Sequence, residues 1–165
     1  MNEQRQIRPA IAKDTAAIRT IAVATELFAA DELDGFDERL MGYLNGSLTD
    51  DAWLVLEAAD GEVVGAAYYA PEPFSDRVWN LYFIGVMPDH QGGGTGGALI
   101  RHVEATLHEK GEEYARILIV ETSGLDNFAL TREFYEKHGY DQEARIRQFY
   151  GPNDDKVIFW KSLTV

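Results

Sequence analysis

The stretch VMPDHQGGGTGGALI, residues 86–100, constrains this chain more than any other segment. Residues 92–97 contain five glycines, interrupted only by Thr95, between an apolar strand pattern and an amphipathic helix pattern. Glycine in or beside a helix costs about 1 kcal/mol relative to alanine. In return, backbone N–H groups lie open next to the positive end of a helix dipole, and such a junction is typical of an anion-binding site.

Three other interpretations of the glycines are weaker. A plain surface loop would not require a strand before it and a helix after it. A Walker loop needs Lys and then Ser or Thr after the last glycine, whereas Gly97 precedes alanine and leucine. A dinucleotide fingerprint fits Gly92, Gly94 and Gly97, with Glu121 as the ribose-binding acid. However, residues 87–91 separate the strand from the glycines, and no second βαβαβ half fits in the remaining chain.

Composition predicts one globular domain, residues 1–165, with 45% hydrophobic and 26% charged residues. The absence of cysteine excludes a disulfide framework and a cysteine nucleophile, and the four histidines show no metal-ligand spacing. No apolar run reaches membrane-spanning length and the first residues lack a signal-peptide core, so we expect a cytoplasmic protein without a membrane partner. A net charge of -13 disfavours nucleic acid as a partner.

The order of predicted elements is β-α-α-β-β-β-α-β-α-β-β, which indicates a mixed α/β domain of three-layer α+β type. Asp14 is the predicted N-cap of the first helix, and Asp60-Gly61 joins the clearest hairpin. Gly85 inside the strand RVWNLYFIGV indicates a bulge or a close backbone approach. The strand ARILIVE is predicted to end at Glu121. The helix FALTREFYEKHG is predicted to turn Leu130 and Phe134 inward.

Two of these motifs resemble the GNAT superfamily of N-acyltransferases. Residues 86–100 resemble its acetyl-CoA-binding segment, which runs V-x-P, a spacer and Gln/Arg-x-x-Gly-x-Gly/Ala at a helix start. The segment FYEKHGY, residues 134–140, resembles its FY-x-x-x-G-F/Y helix, and IRPAIAKDTAAI resembles its first strand and helix. The resemblance covers almost the whole chain. It implies a GNAT-like, largely antiparallel sheet of about seven strands with helices on both faces.

The resemblance also implies an activity, the transfer of an acetyl group from acetyl-CoA to a primary amine by direct attack in a ternary complex. The implied partners are a small-molecule or peptide amine and a possible second copy of the chain, paired through the last two strands. Acetyl-CoA is the only implied cofactor. The implied contacts to it come from Ile84, Gly85, Val86, Gln91, Gly92, Gly93, Gly94, Thr95, Gly96, Gly97, Asn127 and Tyr135. The alternative is a non-catalytic module that binds coenzyme A or a dinucleotide.

Roles in the chemistry follow from the same resemblance. Tyr135 is the implied general acid toward the thiolate, with a core tyrosine as the alternative. Glu121 is the implied general base, with a structural role as the alternative. Relatives that lack an acid at this place carry it on the preceding strand, but here that strand contains no acid, only Asn80 and Tyr82. The Val86 N–H is the implied oxyanion donor. Two cations on the last helix, Arg132 and Lys137, could meet the 3′-phosphate or simply face solvent.

The chemical class of the acceptor is indicated by charge alone. The resemblance implies an acceptor site beside the first two helices. The residues between and at the start of these helices are rich in acids, which would attract a cationic amine, although a solvated acidic face in an acidic protein explains them better. These acids are Glu26, Asp31, Glu32, Asp34, Asp37 and Glu38.

Overall fold

The computed structural model describes residues 5–164 and confirms the predicted order of elements. The strands are β1 (Gln6–Pro9), β2 (Ala52–Glu57), β3 (Val63–Pro71), β4 (Val78–Val86), β5 (Ile117–Ser123), β6 (Asp141–Gly151) and β7 (Asp154–Ser162). The helices are α1 (Thr15–Ala24), α2 (Asp34–Leu44), α3 (Thr95–Glu109) and α4 (Ala129–Lys137). Short 3-10 turns lie at Ala12–Asp14, Pro88–His90 and Asp126–Phe128.

The strands form one seven-stranded sheet in the order β1-β2-β3-β4-β5-β7-β6. Strands β1 and β2, β2 and β3, β5 and β7, and β6 and β7 pair antiparallel, while β4 and β5 pair parallel. The parallel ladder joins Val78–Leu81 to Ile117–Val120, and α3 lies in the crossover connection that a parallel pair requires. The predicted mixed, largely antiparallel sheet is therefore confirmed.

The chain divides into two compact units, each with its own core. The first unit runs to Ala70 and resumes at Phe83–Val103. In its core, Phe36 of α2 packs edge-on against Trp53 of β2 and Phe83 of β4, at centroid distances of 5.1 and 5.2 Å. On β3, Ala66 belongs to this core, whereas an ideal Cβ on its neighbour Gly65 would lie 3.0 Å from Leu99 of α3. Because successive strand residues point to opposite faces, this unit carries helices on both faces of its strands.

A partly buried ion-pair cluster ties β1 to the start of α1. Arg8 forms a two-pronged pair with Asp14 at 2.8 and 2.9 Å and also reaches Glu57 at 2.7 Å. Asp14 occupies the predicted N-cap position, but its side chain accepts the N–H of Ile11 instead of capping α1. The hydrogen bond from Arg8, followed by that from Ile11, holds the pKa of the Asp14 carboxyl below its usual range.

The predicted hairpin between β2 and β3 is present, but its turn differs in detail. Gly61 has a φ of 85°, as expected, whereas Asp60 does not adopt a positive φ. Five residues, 58–62, connect the strands, and the Ala58 N–H donates to the Glu62 carbonyl. The turn is thus longer than the two-residue connection in which both central residues need positive φ.

The second unit comprises Pro71–Tyr82 and the described residues from Glu104 onward. Its core includes Tyr135 of α4, whose ring centroid lies 5.4 Å from that of Phe159. The prediction that Leu130 turns inward is wrong, because this side chain is 79% exposed. Leu130 precedes Tyr135 by five residues, which places it roughly 140° around the helix from the inward face.

The predicted end of β5 at Glu121 is also wrong. The ladder with β7 continues through Thr122 and Ser123, the latter opposite Lys156, so Glu121 lies inside the strand. Within the described residues, no helix is long and apolar enough to cross a membrane. The assignment of residues 1–165 to one domain stays a prediction.

Candidate active site

The loop between β4 and α3, residues 87–94, is anchored at its start by hydrogen bonds to the sheet. The Met87 N–H donates to the Val64 carbonyl at 2.8 Å, and a 3-10 turn at Pro88–His90 follows. The Gln91 side-chain amide donates to the carbonyl of Val86 at 3.0 Å. The predicted cofactor-binding side chain of Gln91 therefore fixes the loop to the last residue of β4.

Gly92 and Gly94 adopt left-handed backbone, both with φ of 80°, and Gly93 between them does not. An ideal Cβ on Gly92 or Gly94 would meet nothing within 4 Å, so packing does not require glycine at either position. The backbone conformation does, because other L residues are strained at such φ. Alternation of left-handed and ordinary residues turns successive N–H groups toward one concavity, an arrangement that binds anions.

Helix α3 begins directly after this loop. The Ala98 N–H donates to the Gly94 carbonyl at 2.9 Å, which leaves the N–H groups of Thr95, Gly96 and Gly97 without a helical acceptor. Among the described residues, the amides of Gly92, Gly93 and Gly94 likewise have no backbone acceptor. Residues 92–97 thus present consecutive donors at the positive end of a helix of 15 residues, which fits a diphosphate.

The last residues of β4 form the predicted pantetheine segment, Ile84, Gly85 and Val86. Gly85 is a point of close approach, as predicted, because an ideal Cβ there would lie 2.8 Å from Cγ2 of Ile21. Gly85 and Val86 are buried and Ile84 is partly buried. The glycine allows α1 to pack closely against this end of the strand.

In the second unit, Tyr135 is 3% exposed and surrounded by rings. Tyr140 lies 6.0 Å from it between centroids, in addition to Phe159. Among the described residues, no hydrogen bond engages the Tyr135 hydroxyl. Burial, followed by the nearby Tyr150 phenol, raises the pKa of Tyr135 well above its usual value, so the phenol keeps its proton at neutral pH.

Glu121 is held by two neighbours on adjacent strands. Its carboxylate forms an ion pair with Nζ of Lys156 at 2.9 Å, and Asn80 Nδ2 lies 3.4 Å from its Oε1. The Lys156 ammonium itself lies 3.5 Å from the centroid of the Phe149 ring. These two contacts therefore fix the orientation of the Glu121 carboxylate.

A second carboxylate, Glu72, lies beside Glu121 and was not predicted from the sequence. Asn80 Nδ2 donates to Oε2 of Glu72 at 3.0 Å, and the Tyr82 hydroxyl donates to the same oxygen at 2.8 Å. Asn80 is 1% exposed and its amide nitrogen bridges both carboxylates. The available signal was this asparagine inside an otherwise apolar strand, because a buried amide requires polar partners.

The remaining predicted residues lie on α4 or in the turn before it. Asn127 is exposed in the 3-10 turn before the helix, and Lys137 is exposed near its end. Arg132 donates to the carbonyl oxygens of Ser123 and Leu125 at 2.7 and 2.9 Å, so this side chain closes the connection between β5 and α4. The structure thus gathers the predicted residues into two groups, Ile84–Gly97 in the first unit and those near Tyr135 and Glu121 in the second. In residues 5–164, no three His, Asp or Glu side chains are arranged to hold a metal ion.

Comparison with known proteins identifies the family. The acetyltransferase (GNAT) domain matches residues 49–142, more than half of the chain. Among the curated proteins, none matches at a significant level. A protein from Desulfovibrio desulfuricans assigned to the GNAT family of acetyltransferases is 29% identical, with a TM-score of 0.87 over 98% of this chain and 100% of that chain.

Two further solved structures share the fold at lower identity. The ribosomal-protein-S18-alanine N-acetyltransferase of Escherichia coli is 20% identical, with a TM-score of 0.79 over 98% of this chain and 96% of that chain. An acetyltransferase from Salmonella typhimurium, solved with acetyl-CoA, is 24% identical, with a TM-score of 0.76 over 96% of this chain and 94% of that chain. The family match and the glycine loop at the start of α3 together show that the chain belongs to the GNAT family of acetyltransferases.

Proposed function

We propose that this acyltransferase moves an acetyl group from acetyl-CoA to a primary amine by direct attack in a ternary complex. The observation that carries the proposal is the loop at Gly92–Gly94, whose alternating backbone directs open amides toward an anion at the start of α3. The Salmonella relative, whose structure contains acetyl-CoA, supports the choice of donor.

The diphosphate of acetyl-CoA binds the amides of residues 92–97. Hydrogen bonds to a charged acceptor contribute about 1.5–3 kcal/mol each. Several such bonds offset the conformational cost of the glycines when the donor is bound. The backbone of Ile84, Gly85 and Val86 receives the pantetheine arm, and Asn127 adds a polar contact to the cofactor.

The reaction needs an unprotonated amine, because an ammonium has no lone pair. The amine nitrogen attacks the thioester carbonyl, and the Val86 N–H stabilises the oxyanion that forms. Collapse of this intermediate breaks the C–S bond and releases the coenzyme A thiolate. Tyr135 donates its proton to the sulfur, a role that suits a phenol which burial keeps neutral.

Glu121 removes the proton from the attacking amine, directly or through one water. Its ion pair with Lys156 supports this role, because the pairing fixes the orientation of the carboxylate. Glu72 lies next to it through the shared Asn80 bridge and attracts the ammonium form of the acceptor. Glu72 therefore attracts the ammonium form of the acceptor, and Glu121 deprotonates the amine.

The acceptor is a cationic primary amine, either a small molecule or a peptide amine. The six acids near α1 and α2 create a negative potential that attracts a cation, although two of them already have partners in the structure. Asp37 pairs with Arg19 at 3.1 Å, and Glu32 accepts the Ala29 N–H at 3.3 Å. The others remain available to attract a cation.

Acetyl transfer from acetyl-CoA to a panel of amines tests the proposal. The panel contains a polyamine, an aminoglycoside, an amino acid, a peptide with a free N-terminus and a neutral primary amine. We expect turnover with at least one cationic amine, and intersecting initial-rate lines as a ternary complex requires. Parallel lines would indicate an acetyl-enzyme, and binding of acetyl-CoA without any transfer would favour a non-catalytic module.

A further inference from the structure

The backbone conformation does not explain why Gly93, the middle of three consecutive glycines, is a glycine. Gly92 and Gly94 need glycine for their left-handed backbone, but Gly93 has no positive φ. The side chain of Arg5, which lies just before β1, gives the reason. Its Nη1 donates to the Gly93 carbonyl at 2.8 Å, and its Nη2 would lie 3.2 Å from an ideal Cβ on Gly93. Glycine at position 93 therefore leaves room for a guanidinium against the loop.

The guanidinium at this place has unused donors. Within residues 5–164, Arg5 makes one hydrogen bond, to a neutral carbonyl, of the five N–H groups a guanidinium offers. Five other arginines pair with carboxylates instead: Arg8, Arg19, Arg77, Arg116 and Arg145. Arg5 thus keeps its charge and most of its donors available for an anion at the loop.

The loop itself supplies no cation. Residues 87–97 contain no lysine or arginine and include Asp89, in a chain of net charge -13. The negative charge of the chain would repel a dianionic diphosphate bound there. Only backbone amides and the helix dipole would attract it. Arg5, 88 positions earlier in the chain, contacts the loop and supplies the positive charge that the loop lacks.

We propose that Arg5 is a ligand of the acyl donor's diphosphate, which it grips together with the amides of residues 92–97. This inference rests on the proposed function. A planar guanidinium suits the role because its fork matches two phosphate oxygens while one nitrogen remains on the Gly93 carbonyl. The N-terminal segment therefore completes the phosphate site that the glycine motif begins.

Calorimetric titration with three donors tests the proposal: acetyl-CoA, 3′-dephospho-acetyl-CoA and acetyl-pantetheine, which lacks the diphosphate. Arg5→Gln should weaken binding of the first two by about tenfold, as loss of one exposed charge-assisted contact gives, and leave acetyl-pantetheine unchanged. Arg39→Gln is the matched control. It removes the same charge from an exposed site on α2 in the same unit and should change none of the three affinities.

Two further measurements separate direct contact from mere ordering of the loop. The methyl group of Gly93→Ala would lie 3.2 Å from Nη2 of Arg5 and push the guanidinium outward, so this variant should weaken binding of the two diphosphate donors in the same direction as Arg5→Gln. The difference between wild type and Arg5→Gln should shrink as salt rises, because a direct charge contact is screened. If the affinity difference between wild type and Arg5→Gln did not depend on salt, the proposed contact between Arg5 and the diphosphate would be wrong. Arg5 would then only order the loop.

The other outcomes are decisive as well. Equal losses for Arg5→Gln and Arg39→Gln would reduce the effect to net charge and overturn the proposal. A loss confined to acetyl-CoA would place Arg5 on the 3′-phosphate instead of the diphosphate. If wild-type protein bound none of the three donors, the proposed function itself would fail, and that result needs no Arg5 variant to be recognised.

Discussion

Replacement of Tyr135 by phenylalanine separates the chemistry of the reaction from the stability of the fold. The variant removes one oxygen from a ring that is 3% exposed and packed against Phe159. Because no hydrogen bond engages that hydroxyl among the described residues, its loss breaks no contact in the free protein. We expect a change in the free energy of unfolding of less than about 1 kcal/mol.

The effect on turnover should be large. General acid catalysis by a positioned side chain contributes about 10²–10⁴-fold, so kcat should fall by a factor in that range. Burial, followed by the charge that Tyr150 would carry, raises the pKa of Tyr135. The phenol therefore remains neutral up to and beyond its ordinary pKa of about 10, and its proton should be available throughout the working range.

Tyr140→Phe is the matched control, five residues further along and also 3% exposed. Its hydroxyl donates to Oε2 of Glu104 at 3.1 Å. Because Lys161 still pairs with Glu104 at 2.8 Å, the loss should be modest, about 1.5 kcal/mol, or roughly 3–6 °C in Tm. We thus expect Tyr135→Phe to lose activity and keep stability, and Tyr140→Phe to do the reverse.

Steady-state rates and thermal unfolding of both variants, at saturating acetyl-CoA, provide the assay. An unchanged kcat in Tyr135→Phe would remove this residue from the mechanism. An alkaline fall in kcat between pH 7 and about 10 that disappeared in the variant would contradict the raised pKa.

Three further substitutions test other parts of the account. Glu121→Gln should lower kcat/KM, because a carboxamide cannot accept the proton of the attacking amine; an unchanged kcat/KM would assign the base elsewhere. Gly85→Ala places a methyl group 2.8 Å from Ile21 and should lower the free energy of unfolding in urea by about 1–3 kcal/mol, and wild-type stability would refute the close packing. Asp14→Asn should cost about 3 kcal/mol at neutral pH, because Arg8 loses its buried partner. The lowered pKa of Asp14 means that wild type holds this stability above about pH 4 and loses it as pH falls through the folded-state pKa, so the two proteins should converge in acid; a constant gap would contradict the linkage.

Local signals in the sequence predicted much of this fold. Gly61 adopts the positive φ that was expected from its place in the turn between β2 and β3. The apolar pattern of β4 and the glycines after it predicted the strand, loop and helix that build the proposed phosphate site. Patterns of this kind are readable because each depends on neighbours within a few residues.

Contacts between distant segments were not predictable in the same way. Arg5 and Gly93 are separated by 88 positions, and no periodicity links them. Glu72 gains its place from Asn80 and Tyr82 on the next strand, which requires the register of β3 and β4. Leu130 was misplaced because apolar character alone does not fix which side of a short helix faces the core.

The most direct test of the central claim observes the backbone amides themselves. In ¹⁵N–¹H correlation spectra, the amide resonances of residues 92–97 should move downfield in ¹H on saturation with acetyl-CoA, as hydrogen bonds to a diphosphate form. Acetyl-pantetheine, bound to saturation, should leave them in place while it shifts residues 84–86. If the amides of residues 92–97 do not move although acetyl-CoA is bound, the diphosphate is held elsewhere and the proposed site is wrong.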